Sequence, residues 1–188
     1  MIKFLRFGSI SNGRGRDGVP SVVVGPEDQF TNRFAGLARI SPMLPLIGGG
    51  ATRLQPVYVG DVATAVADAV DGKTRAGATY ELGGPEVLTM REVMEIILAT
   101  IERQRMLVSL PFGLAKLQAL FLQFAPGPLK LTPDQVALLR SDNVVSDAAK
   151  AAGLTLEGLG IKADSLEAIA PQYLWRFRKT GQFQKNSA

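Results

Sequence analysis

No cysteine and no histidine occur in the 188 residues. The first absence excludes disulfides, thiolate nucleophiles and thiolate zinc ligands. The second excludes imidazole metal sites and every Ser–His or Cys–His catalytic pair. Chemistry is left to carboxylates, lysine, tyrosine, serine, threonine or a bound cofactor. Missing cysteine fits any redox compartment and so says nothing about location. Long apolar runs are also missing. The most apolar region, 106–126, contains Pro111, Lys116, Gln118 and Gln123, and the opening seven residues are broken by Lys3 and Arg6. Neither a transmembrane span nor a signal peptide is expected from them.

Acids are absent from both ends. Lys3, Arg6, Arg14 and Arg16 precede the first acid, Asp17, and Arg176, Arg178, Lys179 and Lys185 follow the last, Glu167. Residues 17–175 hold 13 basic and 17 acidic residues, so the net charge of +4 belongs to the tails. A nucleic-acid binder would show a basic face backed by stacking aromatics, and nucleic acid is therefore not expected as a partner. Solvated tails, or tails touching acidic lipid or a partner, fit better.

What is present is an ordinary globular balance, 46% hydrophobic and 20% charged, enough for one buried core. The chain centres on Gly48-Gly49-Gly50-Ala51-Thr52-Arg53, a glycine loop leading into a short strand, Val57-Tyr58-Val59, and an alanine-rich helix over 61–70. Glycines bend where side chains cannot, and Asp61 is read as the helix cap. Earlier, Ser21-Val22-Val23-Val24 is a β-branched run closed by Gly25-Pro26, followed by a helix over 29–39 capped by Asp28. Later, Thr79–Leu82 reads as a strand. Thr89 and Glu92 form a capping box with Leu88 and Val93 as its staple. Behind it, Val93, Met94, Ile97, Leu98 and Ile101 make an apolar stripe. A strand at 106–108 precedes a helix over 112–124, apolar on most sides, which is either buried or docked on a partner or lipid. A second capped start lies at Thr132–Gln135. The last helix opens at 164–167, and Pro171 is expected to kink or interrupt it. Residues 8–18 have no hydrophobic period and read as loop; Gly13–Gly18 lacks the flanking strand and helix of a phosphate loop.

Three stretches in this order resemble one family: Pro20–Asp28, Pro56–Ala63 and Tyr80–Glu86. They are similar to the C-terminal half of the extended and atypical short-chain dehydrogenase/reductases. Phe30–Phe34, Gly48–Arg53 and the ending Tyr173–Arg178 narrow the resemblance to the nucleotide-binding accessory subunits of respiratory complex I and their bacterial relatives. The resemblance implies an α/β fold, the C-terminal part of a Rossmann-like NAD(P)-binding domain with a smaller helix-rich substrate or interaction region. Residues 1–19 are then a poorly ordered leader, 20–180 the family domain and 181–188 a tail. By the same resemblance Pro20, Ser21 and Val22 line the nicotinamide side of a bound NAD or NADP, and Arg53 contacts a substrate phosphate. Independently, guanidinium grips phosphate with paired hydrogen bonds, although a plain surface arginine accounts for the residue too.

The family's glycine fingerprint and its catalytic Tyr followed four residues on by Lys are not in this chain. Tyr58, Tyr80 and Tyr173 are followed at that distance by Val62, Gly84 and Phe177. The expectation is a non-catalytic accessory or assembly subunit that lacks its dinucleotide-binding half, with weak or no cofactor binding alone. The alternative is an NAD(P)-dependent epimerase, dehydratase or reductase acting on a nucleotide sugar or a similar small substrate. Expected partners are other complex I subunits or that missing half, with possible peripheral membrane contact. The expected place is the bacterial cytoplasm at the inner face of the membrane, or alternatively the mitochondrial matrix side. Half of a parallel sheet leaves edges and apolar area exposed, so the isolated chain is expected to oligomerise or aggregate. Light scattering checks this, and a cooperatively melting monomer contradicts it.

Overall fold

The computed structural model describes residues 2–6, 22–115, 117, 136–137 and 139–179. In chain order its strands are β1 (Ile2–Arg6), β2 (Val23–Val24), β3 (Met43–Ile47), β4 (Arg53–Leu54), β5 (Val57–Tyr58), β6 (Thr79–Leu82), β7 (Leu88–Thr89) and β8 (Met106–Leu110). Its α-helices are α1 (Thr31–Ile40), α2 (Val59–Val70), α3 (Met90–Thr100), α4 (Asp147–Ala151) and α5 (Leu166–Leu174). The chain divides into two compact units, each assembled from three separate stretches.

The first unit comprises 1–25, 54–87 and 143–166. β2 and β5 run parallel, Val23 opposite Val57 and Val24 opposite Tyr58. β1 pairs antiparallel with β6, with an irregularity between Lys3 and Leu5. A strand thus stands inside the 1–19 stretch expected to lack regular structure, while 8–18 lies outside the described residues. The core here is Val57, Ala65, Tyr80, Leu82 and Leu156, packed on by Val23, Val62, Leu154 and Ile161. β5 passes directly into α2. Gly60 in the first turn leaves room for the Tyr58 ring, since a Cβ there would lie 2.4 Å from it.

The second unit comprises 26–53, 88–142 and 167–188. α1 starts at Thr31, two residues later than the sequence suggests, with Phe30 at the cap position; Asp28 still serves that end, its carboxylate accepting the Thr31 N–H and hydroxyl. That hydroxyl proton goes to the carboxylate, so the buried Tyr173 hydroxyl, 2.8 Å away, donates to Thr31 and ties α5 to the start of α1. β3 and β8 run parallel over five pairs, from Met43 opposite Met106 to Ile47 opposite Leu110. The capping box on α3 is complete: Glu92 N–H donates to the Thr89 hydroxyl, and Thr89 N–H donates to the Glu92 carboxylate. Behind it Val93, Met94, Ile97 and Ile101 are fully buried and Leu98 nearly so. Glu102, in the left-handed region at φ 54°, ends the helix where glycine is usual, and Arg103 N–H closes back to the Leu98 carbonyl.

Two readings need correction. Asp61 is not the cap of α2. The helix starts two residues earlier at Val59, Tyr58 occupies the cap position without a side-chain bond, and Asp61 lies inside the first turn. Pro171 does not interrupt α5, which runs through it to Leu174 and tightens into a 3₁₀ turn at Trp175–Phe177. Residues 112–115 are helical as expected, but Lys116, Gln123 and the start at Thr132–Gln135 lie outside the described residues.

The α3 stripe sets a measurable cost. Ile97→Ala is expected to destabilise the chain by about 2–5 kcal/mol, the range for truncating a buried aliphatic side chain. The exposed Glu95→Ala, two residues away, should change stability by less than about 0.5 kcal/mol. Urea unfolding followed by circular dichroism checks both.

Candidate functional site

Of the three residues expected along a nicotinamide, only Val22 is among those described; Pro20 and Ser21 lie outside them. Val22 is half-buried and its carbonyl accepts the Val57 N–H at 3.1 Å, extending the β2–β5 ladder by one bond. Its backbone oxygen is therefore engaged in the sheet. At the carboxyl end of that pair, where open α/β sheets take ligands, Gly25 sits close against α2. A Cβ on it would stand 2.7 Å from Val59 Cγ1.

Among the described residues of the first unit, a heavily bonded polar group is one without a signal of its own in the sequence. Gln55 is 8% exposed. Its Nε2 donates to the Gly84 carbonyl at 2.7 Å, and its Oε1 accepts the Val145 N–H at 2.9 Å. Its own N–H donates to Asn143 and its carbonyl accepts from Gly84. One residue thus joins the segments around 55, 84 and 145. The closeness explains the glycine pair. A Cβ on Gly84 would lie 1.9 Å from the Pro56 carbonyl, and one on Gly83 would lie 2.7 Å from Gln55 Cδ. The signal available in sequence is a lone amide between apolar residues, next to a proline and followed downstream by Gly-Gly-Pro.

Asp61, buried in the same unit, turns away from the helix end and accepts the Asp164 N–H at 2.9 Å through Oδ2. Burial pushes its carboxyl above the usual range, the Asp164 N–H opposes this, and the Asp164 charge adds to it. Glu81 makes a parallel bond, accepting the Ser146 N–H at 2.8 Å at the start of α4. Both carboxylates position loops.

In the second unit Arg53 meets a carboxylate. Its N–H donates to Asp142 Oδ1 at 2.9 Å and its Nε to Oδ2 at 2.8 Å. These bonds, the backbone one first, hold the Asp142 carboxyl below its ordinary range. With its side chain 60% exposed, Arg53 has one guanidinium edge occupied and its charge partly offset. Beside it, Gly48, Gly49 and Gly50 all have left-handed φ, between 63° and 77°, so the bend read from sequence is real. Gly48 also abuts the Phe112 ring, 2.4 Å from where a Cβ would stand, and Arg140 lies 5.5 Å above that ring.

The tyrosines with described hydroxyl bonds serve packing. Tyr80 accepts the Arg75 N–H at 3.1 Å, and Tyr173 donates to Thr31. Among the described residues no group of acids could hold a metal ion, and no helix is long and apolar enough to cross a membrane.

No protein-family model matches the chain. It is 37% identical over 171 residues, 86% of its length, to "NADH dehydrogenase [ubiquinone] 1 alpha subcomplex subunit 9, mitochondrial" of Arabidopsis thaliana, covering 42% of that protein. The subunit of the same name from Rattus norvegicus is 30% identical over 161 residues, 85% of this chain and 41% of the relative. The mitochondrial NADH-ubiquinone oxidoreductase 40 kDa subunit of Neurospora crassa is 26% identical over 87% of this chain and 42% of its own length. The chain therefore spans about two-fifths of the length of these relatives. Among solved structures, a dTDP-glucose 4,6-dehydratase from Bacillus anthracis in complex with NAD superposes with a TM-score of 0.55 at 17% identity, covering 85% of this chain and 43% of that one. A UDP-N-acetylglucosamine 4-epimerase from Bacillus cereus gives 0.52 at 18% identity, covering 84% and 44%. The fold is thus the α/β type of these Rossmann-like proteins.

Gln55→Leu strands the Gly84 carbonyl and the Val145 N–H, each expected to cost about 1–3 kcal/mol. Gln55→Glu keeps the bond from Val145 but turns an oxygen toward Gly84, so it too should destabilise; urea midpoints measure both. For Asp61 the folded chain holds its proton more tightly than the unfolded chain. Stability should therefore fall as pH rises from the ordinary value of 3.8 through the raised folded one. Asp61→Asn is expected to abolish that fall, as read from unfolding midpoints across pH.

Proposed function

We infer that this chain, a relative of subunit 9 of the mitochondrial complex I alpha subcomplex on an NAD-binding type of α/β scaffold, belongs to a non-catalytic accessory and assembly subunit of respiratory NADH:ubiquinone oxidoreductase. The observation that carries the reading is 37% identity sustained over 86% of the chain. The local chemistry agrees with it. The hydroxyls of Tyr80 and Tyr173 are tied into backbone and helix contacts, and the buried polar side chains Gln55 and Asp61 bond to main chain. Such a set of bonds holds the backbone in shape.

In this reading NAD or NADP is gripped mainly by a dinucleotide-binding half that this chain does not include. Pro20, Ser21 and Val22 line its nicotinamide side, and the chain alone binds it weakly or not at all. Arg53 is available to a substrate or cofactor phosphate only by sharing its guanidinium with Asp142. Its partners are other complex I subunits. Its place is peripheral to the respiratory membrane, on the matrix side in a mitochondrion or the cytoplasmic side in a bacterium.

Deleting the encoding gene is expected to lower the amount of assembled complex I on native gels. The tagged gene product is expected to co-purify with that complex. Failure of both rejects the reading. In calorimetric titration the chain should show no micromolar NADPH or NADH binding. Turnover of a nucleotide sugar by the gene product would instead make it an enzyme.

A further inference from the structure

Three arginines gather where α1 and α3 end. Arg39 stands in the last turn of α1, and Arg105 Nε donates to the Ala38 carbonyl at 2.8 Å, which brings the Arg105 side chain to that same turn. Arg103, just beyond α3, donates through Nε to the Phe177 carbonyl at 2.9 Å. Arg103, Arg105 and Leu107 are half-buried and alternate along the chain with the exposed Gln104, Met106 and Val108. They therefore share the inner side of this segment, toward α3. There they line a shallow depression of about 640 Å³ whose floor includes Leu98 and Ala99 of that helix.

The charges of this cluster do not cancel. Burial first, then repulsion from Arg105 and Arg39, holds the Arg103 guanidinium below the ordinary arginine range, so the three cations lie within reach of one another. Among the described residues none of the three forms an ion pair with a carboxylate. Glu95 and Glu102 line the same depression, but Glu102 is paired with Arg178 at 3.4 Å and Glu95 faces Arg91 at 4.0 Å. Outside the described residues the chain has two acids, Asp17 and Asp134, fewer than the cations gathered here. The carbonyl ends of α1 and α3 supply roughly half a negative charge each, so about two of the three positive charges are left over.

We propose that this depression takes an extended acidic segment of a partner protein, its carboxylates on Arg39, Arg103 and Arg105 and an apolar side chain over Leu98, Ala99 and Leu107. Guanidinium has five donors. Arg103 gives one to a carbonyl and Arg105 two, which fixes both groups and leaves Nη hydrogens for a carboxylate. A compact phosphate is less well suited, because it would set its charge beside Glu95, Glu102 and the carbonyl end of α3. Carboxylates spaced along a chain can keep to the arginines. The inference rests on the accessory-subunit reading and deepens it by giving the subunit a place for a neighbour.

Fluorescence anisotropy on the whole chain tests it. The probe is a labelled peptide of alternating glutamate and leucine, about eight residues and so roughly 26 Å long when extended. A counterpart carries glutamine for glutamate. Binding is expected for the acidic peptide alone, and salt should weaken it. It should fall roughly three- to fivefold in Arg39→Gln, the effect of one exposed ion pair. Ala99→Trp, which fills the floor and touches no charge, should lower it at least as far. Lys73→Gln, in the first unit, should leave it unchanged. Arg39 and Ala99 are both exposed, so neither variant is expected to disturb the fold, and circular dichroism melts check this. No binding of the acidic peptide, equal binding of the two peptides, or binding unchanged in either variant overturns the proposal. So does displacement of the peptide by pyrophosphate beyond the effect of sodium chloride at equal ionic strength, which would make the site one for phosphate. Peptide binding in this pattern by a protein that fails to join complex I rejects the subunit reading and leaves the depression standing. A protein that joins the complex without binding the peptide overturns the depression alone.

Discussion

A buried carboxamide has several hydrogen-bonding sites and little water to meet them, and in the first unit the Gln55 side chain is bonded to two backbone partners. Leaving either partner unmet would cost about 1–3 kcal/mol, more than a typical surface contact supplies. That asymmetry makes Gln55 a constraint on three segments at once. The glycines at 83 and 84, the approach of the Pro56 carbonyl and the position of Val145 all follow from bringing the backbone close enough for that amide to be satisfied. The apolar cluster of Val57, Tyr80, Leu82 and Leu156 supplies the larger burial energy, but it is not directional. The amide adds the register.

The second unit is organised differently. Its backbone ends are closed locally, by the capping box on α3 and by Asp28 at the start of α1, and its core is an aliphatic stripe. Arginine side chains then close its surface through main-chain oxygens: Arg103 to Phe177, Arg105 to Ala38, Arg176 to Pro26 and Arg178 to Thr100. Guanidinium is suited to this because it has five donors and keeps its charge. Carbonyl partners leave the charges of Arg103 and Arg105 without an ion pair among the described residues, whereas Arg178 also meets the Glu102 carboxylate at 3.4 Å.

Elements whose cause is local are legible in the sequence. The Thr89–Glu92 box, the stripe behind it, the Asp28 start, the strands at Thr79–Leu82 and from Met106, and the bend at Gly48–Gly50 all depend on neighbours within a turn or two. Errors arise where one residue type serves two purposes. An acid in the first helical turn and an acid at the cap look alike in sequence, so Asp61 reads as a cap although its partner is the N–H of Asp164, 103 positions away. A proline within a helix is usually disruptive, yet α5 continues past Pro171. Arg53 reads as an unpaired cation because its partner, Asp142, lies 89 positions downstream.

The lack of cysteine and histidine by itself settles that this chain is without thiol or imidazole chemistry, and periodicity and capping read both strands and helices into it. They also locate its strongest helix, because each of those features acts over a few residues or by simple absence. The tertiary structure alone decides which polar groups are satisfied, which charges are paired, and which apolar strand face is left open. Those outcomes depend on contacts between residues tens of positions apart, and no local pattern encodes the distance between them.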